Sequence, residues 1–332
     1  QTIGRVGQQL GADLYLGPIY TWGTIGGRTD FYMWKPVFLD YSYNFAVRNF
    51  RHGSFGNITK IDNTRQVKNS ESFFSVAAGM PLAHRGVFLI RANGGHVNYR
   101  YDSDELFADD TDHSRYSFFG IKAELARNTL DKFLYPRRGS DLKLSGIFVT
   151  GRDKYEPFDA EKFLSRTSRQ WVGARLTWDK YFDMPGCSWF SLGLNVDGVI
   201  TNHPEFTTEG ATVMSMPAYE PVPHAQMIYM PDFRGKRFAA GGVMPTFDLM
   251  PNFFLRTGFY AMFREKRSFV PGVSGPVEDK RWHYIAEASL VYHTPIGPVS
   301  LALTKYDLRN WKNMYLTFNF GYAIFAPKGT FY

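Results

Sequence analysis

Along most of the chain, apolar and polar residues alternate with a period of two. From Val37 the odd positions read Val37, Leu39, Tyr41, Tyr43, Phe45 and Val47, while the even ones read Phe38, Asp40, Ser42, Asn44, Ala46 and Arg48. Successive side chains of a strand point to opposite faces, so this split predicts a strand with one apolar face. The same split sets Phe190, Leu192, Leu194 and Val196 against Ser191, Gly193, Asn195 and Asp197. Near the end it sets Leu316, Phe318, Phe320, Tyr322 and Ile324 against Tyr315, Thr317, Asn319, Gly321 and Ala323. No helical stripe stands out. Short Pro/Gly turns such as Met184-Pro185-Gly186 and Met250-Pro251-Asn252 alternate with longer polar stretches near 51–70, 101–115, 152–168, 203–235 and 265–281.

Alternating runs begin near Gly11, Asp30, Val37, Ser72, Val87, Ser114, Asp141, Gln170, Ser188, Lys236, Phe253, Trp282, Pro298 and Met314. This predicts an all-β fold, an antiparallel transmembrane β-barrel of about 14 strands, or 16 if two precede Gln1. Short turns on one rim and long loops on the other are the pattern of an outer-membrane barrel. No composition break divides the chain, so residues 1–332 are expected to form a single domain, with the long loop 203–235 folding into the lumen. A soluble sandwich alternates in the same way but usually has about seven to nine strands.

Composition points the same way: aromatics make up 17% of the residues and charged residues only 21%, against about a quarter charged in ordinary soluble domains. No apolar run is long enough for a helical span, which leaves a spanning barrel open because its strands never form such runs. The single cysteine, Cys187, excludes an intramolecular disulfide. The start, Gln1 to Arg5, lacks a basic-then-apolar signal segment, so an export signal is expected upstream. The net charge of +7 is scattered along the chain. That argues against a nucleic-acid partner and for outer-membrane lipid and lipopolysaccharide.

Several stretches resemble the BamA/TamA-type surface-antigen superfamily of outer-membrane barrels. Asn128 to Ser140, with Asp131, an aromatic-Pro pair at Tyr135-Pro136 and Gly139, is similar to that family's hairpin and reads as a periplasmic turn in which Pro136 fixes φ and Gly139 frees it. Tyr292 to Pro298 is similar to the penultimate turn, and the aromatic strand Leu316 to Phe325 resembles the terminal recognition signal, carried by Phe318, Phe320, Tyr322 and Phe325. Asp232-Phe233-Arg234-Gly235 resembles the family's Arg-Gly loop motif. The resemblance implies a loop folded back into the lumen and latched by Arg234 and Gly235, with Phe233 beside them and Asp248 or Glu287 as the acidic partner.

Taken in order, Ala218-Tyr219-Glu220-Pro221, Arg234-Gly235, Leu290 to Pro298 and Phe318 to Tyr322 resemble the barrel that follows the hydrolase in patatin-like phospholipases of the Bacteroidetes. That resemblance implies periplasmic domains and a patatin hydrolase in the same polypeptide. The chain itself lacks the G-x-S-x-G elbow such a hydrolase needs. Gly272 to Pro276 and His52 to Gly56 approach it only as turns, and Asp197-Gly198 sits in an alternating strand. The eight histidines have no helical ligand spacing, and the acidic loop Asp102 to Asp112 reads as solvated, so neither metal nor cofactor is called for. Arg175 with Asp179, and Lys122 with Glu124, are expected as ion-pair ladders on the polar face. The expected function is a membrane anchor or translocator for an attached lipase domain. The alternatives are a diffusion channel or an insertase of the same fold, a lipolytic activity of the chain itself, and a soluble glycan-binding sandwich.

Overall fold

A computed structural model describes residues 6–17, 20–32, 36–50, 67–102, 111–156, 165–184, 186–187, 189–222, 225, 230–265, 281–295, 297–306, 314–321 and 328–331. The alternating runs form fourteen strands: β1 (Val6–Tyr15), β2 (Tyr20–Tyr32), β3 (Pro36–Phe50), β4 (Val67–Leu82), β5 (Gly86–Asp102), β6 (Thr111–Asn128), β7 (Gly139–Glu156), β8 (Ser165–Asp183), β9 (Phe190–Thr201), β10 (Arg237–Met250), β11 (Phe253–Arg264), β12 (Trp282–Thr294), β13 (Gly297–Tyr306) and β14 (Met314–Phe320). Each pairs antiparallel with its sequence neighbours in one 14-stranded sheet, in the order β1 to β14. Hydrogen bonds that skip several strands show that the sheet curls: Arg256 on β11 reaches the hydroxyl of Tyr181 on β8 at 3.4 Å. Among the described residues, β1 pairs only with β2 and β14 only with β13.

The outward face is apolar, unlike that of a soluble domain, while the interior mixes packed apolar side chains with buried polar and charged ones. On β3, Val37, Tyr41 and Tyr43 are exposed, while Phe38, Asn44, Ala46 and Arg48 are buried. Leu10, Phe74 and Phe318 are 82, 67 and 68% exposed, and Ile90, Phe119, Leu144, Val172 and Ile200 continue the outward apolar surface around the sheet. Meanwhile the buried set includes the Arg48–Glu71 pair, Asn93, Asp197 and Glu287. Soluble proteins rarely expose contiguous apolar patches beyond a few hundred Å². Strands of 16–19 residues in β4 to β8 exceed the 9–11 or so that a tilted span requires, so this part of the wall rises well beyond an apolar band.

Four features differ from the sequence expectation. The second strand begins at Tyr20, ten residues before Asp30, because Gly23, Gly26 and Gly27 leave the period unmarked. A short helix, α1 (Glu209–Ser215), lies in the segment between β9 and β10. The final strand stops at Phe320, where Gly321 turns with φ +79°; Tyr322 and Phe325 lie outside the described residues. Finally, Arg175 pairs with Asp197 on the neighbouring β9, at 2.6 Å, while Asp179 accepts a hydrogen bond from Asn195 at 2.8 Å. Directly adjacent strands bring side chains closer than positions four apart on one strand. Lys122 and Glu124 do form an ion pair.

Candidate functional site

The interior of the barrel is filled from three directions. The largest filler among the described residues is 202–222, 225 and 230–236, between β9 and β10. Thr207 anchors its start, donating from both its amide and its hydroxyl to Asp153 on β7 at 3.1 and 3.0 Å. His203 packs 4.6 Å from the Trp171 ring, and burial pushes its imidazole down to about 3, so it sits there neutral. In α1, Ala211, Val213 and Met214 are buried. The two arms of the loop then meet: Tyr219 N–H donates to Phe233 O at 2.9 Å, and Gly235 N–H donates to Pro217 O at 3.1 Å, closing a bridge between Ala218 and Arg234.

Arg234 is buried, and it works within the loop itself. Its Nη1 donates to the carbonyls of Met214 and Met216 at 2.8 and 3.2 Å. Those carbonyls belong to the last turn of α1 and to its C-cap residue, where helix C=O groups lack intrahelical donors. The carboxylate facing Arg234 is Glu220, at 4.0 Å, which corrects both expected partners. Asp248 lies at the far end of β10, about 35 Å of strand away at the usual rise, and holds Arg137 at 2.5 Å. Glu287 accepts from Ser289 at 2.9 Å and Thr304 at 3.2 Å. Phe233 is buried against His283 and Tyr306, with ring centroids 5.6 and 6.1 Å away. Gly235 has no positive φ, and a Cβ there would lie 3.5 Å from Arg264, an ordinary contact.

Residues that the sequence did not assign to the latch complete the anchoring. Arg264, at the end of β11, donates through Nε to Asp232 O at 3.1 Å. Arg175 reaches Ala218 O at 3.1 Å while it holds Asp197, and Tyr219 donates to Asn195 at 2.7 Å. The second filler is the segment after β14. Lys328 Nζ lies 3.0 Å from both oxygens of Glu220. Gly329 N–H donates to Glu71 Oε2 at 2.9 Å, and its carbonyl accepts from Asn93 at 2.8 Å. A Cβ on Gly329 would meet the Phe118 ring at 2.7 Å, so only glycine passes between these walls. Burial works to raise the Glu220 carboxyl, but Lys328 and Arg234 outweigh it and hold the group below its ordinary value. A chain of charges thus crosses the interior, from Asp197 and Arg175 through Glu220, Arg234 and Lys328 to Glu71 and Arg48.

The third filler is the β6–β7 turn, residues 129–138, at the opposite rim. Asp131 Oδ1 accepts from the amides of Arg137 and Arg138 at 3.0 and 3.2 Å. Pro136 is buried at its tip, and Gly139 has φ +97°, with a would-be Cβ only 2.2 Å from Thr129 O. The turn reaches across to distant strands: Tyr135 donates to Ser300 on β13 at 2.9 Å, and its ring sits 6.2 Å from Phe254. With Arg137 on Asp248, one end of the barrel is fastened across its width. Phe318 and Phe320, by contrast, project outward at 68 and 62% exposure.

No protein-family model matches the chain, and no curated protein matches it in sequence. Among solved structures, it is similar to BamA from Haemophilus ducreyi lacking POTRA domains 1–3, with a TM-score of 0.62 and 12% identity, covering 93% of this chain and 63% of that one. The chain thus spans just under two thirds of that protein's length. Weaker likenesses are the alcaligin outer-membrane receptor FauA from Bordetella pertussis (TM-score 0.42, 12% identity, 91% and 46% covered) and CdiB from Acinetobacter baumannii (TM-score 0.34, 9% identity, 95% and 59% covered). The BamA likeness shows a shared fold: one antiparallel sheet of a BamA-like barrel.

Proposed function

We propose that this chain is an outer-membrane β-barrel whose interior is plugged by its own loop, and that it anchors or translocates an attached domain. The observation that carries this reading is the outward face: an apolar surface around the sheet, enclosing an interior where buried charges and hydrogen bonds are set among packed aromatic and aliphatic side chains. The rim with the short turns is read as periplasmic. The plug of residues 202–236, with the segment from Lys328, favours an anchor over an open diffusion channel. The finer reading, that the attached domain is a patatin-like lipase, rests on the sequence stretches at Ala218–Pro221, Arg234-Gly235, Leu290–Pro298 and Phe318–Tyr322.

Two measurements test it. The chain should be insoluble without detergent, refold in micelles and migrate differently on gels when boiled; a monodisperse protein in plain buffer overturns the barrel in the membrane. In native outer membranes, a fluorophosphonate probe for serine hydrolases should label the polypeptide that yields this chain's peptides. Outer-membrane polypeptide carrying these peptides but no label removes the lipase and leaves the anchor.

A further inference from the structure

A cavity of about 220 Å³ lies where the β6–β7 turn meets the ends of β10 and β12. Its polar lining comes from Lys132, Arg137, Asp248, Asn252 and His293, and Leu249 and Met250 stand at its edge, 50 and 67% exposed. The polar groups are unevenly matched. Asp248 is satisfied by Arg137 Nη1, but Arg137 Nε and His293 Nε2 are both buried without a hydrogen-bond partner. Lys132 is exposed and has no ion pair among the described residues. Buried polar groups are rarely left unpaired, and an orphan points to an ion or water that belongs there.

We propose that this cavity is a binding site for a phosphate group, supplied by a phospholipid headgroup at the short-turn rim. Three nitrogen groups converge where the lining carboxylate, Asp248, is already neutralised by Arg137 and the neighbouring Asp131 accepts from the amides of Arg137 and Arg138, so the site has donors to offer and little acceptor capacity for a cation. A phosphodiester brings several acceptor oxygens and one negative charge, which suits a guanidinium edge, an imidazole and an ammonium at once. The volume falls below the roughly 300 Å³ of a drug-sized pocket, leaving room for a headgroup but not for a whole lipid. The exposed Leu249 and Met250 give an acyl chain an apolar path away from the site, which free phosphate would not use. Basic pockets at a membrane rim hold lipid headgroups by the same electrostatics. The inference rests on the membrane reading above and adds a ligand to it.

The test uses the barrel refolded in a phosphate-free maltoside detergent, with native mass spectrometry after addition of phosphatidylglycerol, diacylglycerol or inorganic phosphate. The wild type should retain phosphatidylglycerol and not diacylglycerol. Lys132→Gln should weaken retention at least tenfold, Lys132→Arg should restore it, and both should keep the heat-dependent gel shift. Equal retention by wild type and Lys132→Gln, or equal retention of diacylglycerol, overturns the site while the gel shift still attests the barrel. Inorganic phosphate binding as tightly as the lipid and displacing it overturns the headgroup as the source. If Lys132→Gln loses the gel shift, the wild type alone decides, since retaining diacylglycerol as well as phosphatidylglycerol still refutes a phosphate site.

Discussion

Arg234 donates to two carbonyls at the end of α1 and faces Glu220 in its own loop, so its charge organises the plug from within. Glu220 joins the loop to the terminal segment through Lys328, and its carboxyl is held below the ordinary value by Lys328 and Arg234 in spite of burial. A carboxylate whose folded-state value is depressed stabilises the docked state at pH values above its ordinary one, and that contribution is lost as pH falls through the depressed value. Docking of the tail should therefore hold at neutral pH and fail in acid. Protection of the Gly329 amide, followed by hydrogen exchange corrected for intrinsic rate, should fall only below the ordinary carboxylate range. In Lys328→Gln the fall should begin at higher pH, because the foremost of the cations opposing protonation of Glu220 is gone. An unmoved midpoint would mean that the tail is held by Glu71 and Asn93 alone. On the outer face, exposed Phe318 sits opposite Leu301, beside the exposed Leu303–Leu316 pair. Phe318→Arg should cost about 2–4 kcal/mol in folding titrations, as cations near the midplane of a barrel's lipid face do, and Phe318→Leu should cost far less. Equal costs would place that face away from lipid.

At the scale of elements, the β6–β7 turn combines local chemistry with long reach. Asp131 gathers two amides, Pro136 sits buried, and Gly139 occupies a backbone conformation in which a Cβ would strike Thr129 O. Gly139→Ala should lower stability by at least about 1–2 kcal/mol from the left-handed backbone alone, measured as a shifted urea midpoint; a change under a few tenths of a kcal/mol would show that the turn relaxes freely. The local half of this element was legible, since Asp, Pro and Gly announce a turn. That Tyr135 and Arg137 cross to β13 and β10 was not, because sequence period reports which face a side chain takes and not what lies across the barrel. The same limit explains β2, whose glycines carry no polarity to count, and α1, whose seven residues are too few to display a helical period. It also explains Arg234: the Gly-flanked motif marked the residue, yet its acidic partner lies fourteen residues upstream in the same loop, where no strand alternation points.

At the scale of the whole molecule, the sheet supplies a wall and the chain's own segments fill what it encloses. The loop of residues 202–236 contacts β5 to β9 and β11 to β13, whereas the terminal segment contacts β4 and β5 and meets the loop at Glu220. The two fillers meet against β5 and are tied through Lys328 and Glu220, but each also has wall contacts of its own, so removing either alone leaves the other anchored. Replacing residues 204–234 by a short Gly-Ser linker, with the heat-dependent gel shift as the check on folding, should therefore raise single-channel conductance in planar bilayers well above that of the wild type. Deleting residues 328–332 should raise it less, and the double variant should conduct most. This ordering follows from the number of wall contacts each segment makes and from the volume each fills. If the tail deletion alone opened the barrel fully, Glu220 and its loop would depend on Lys328 for their position, and the terminal segment would be the element that keeps the plug in place.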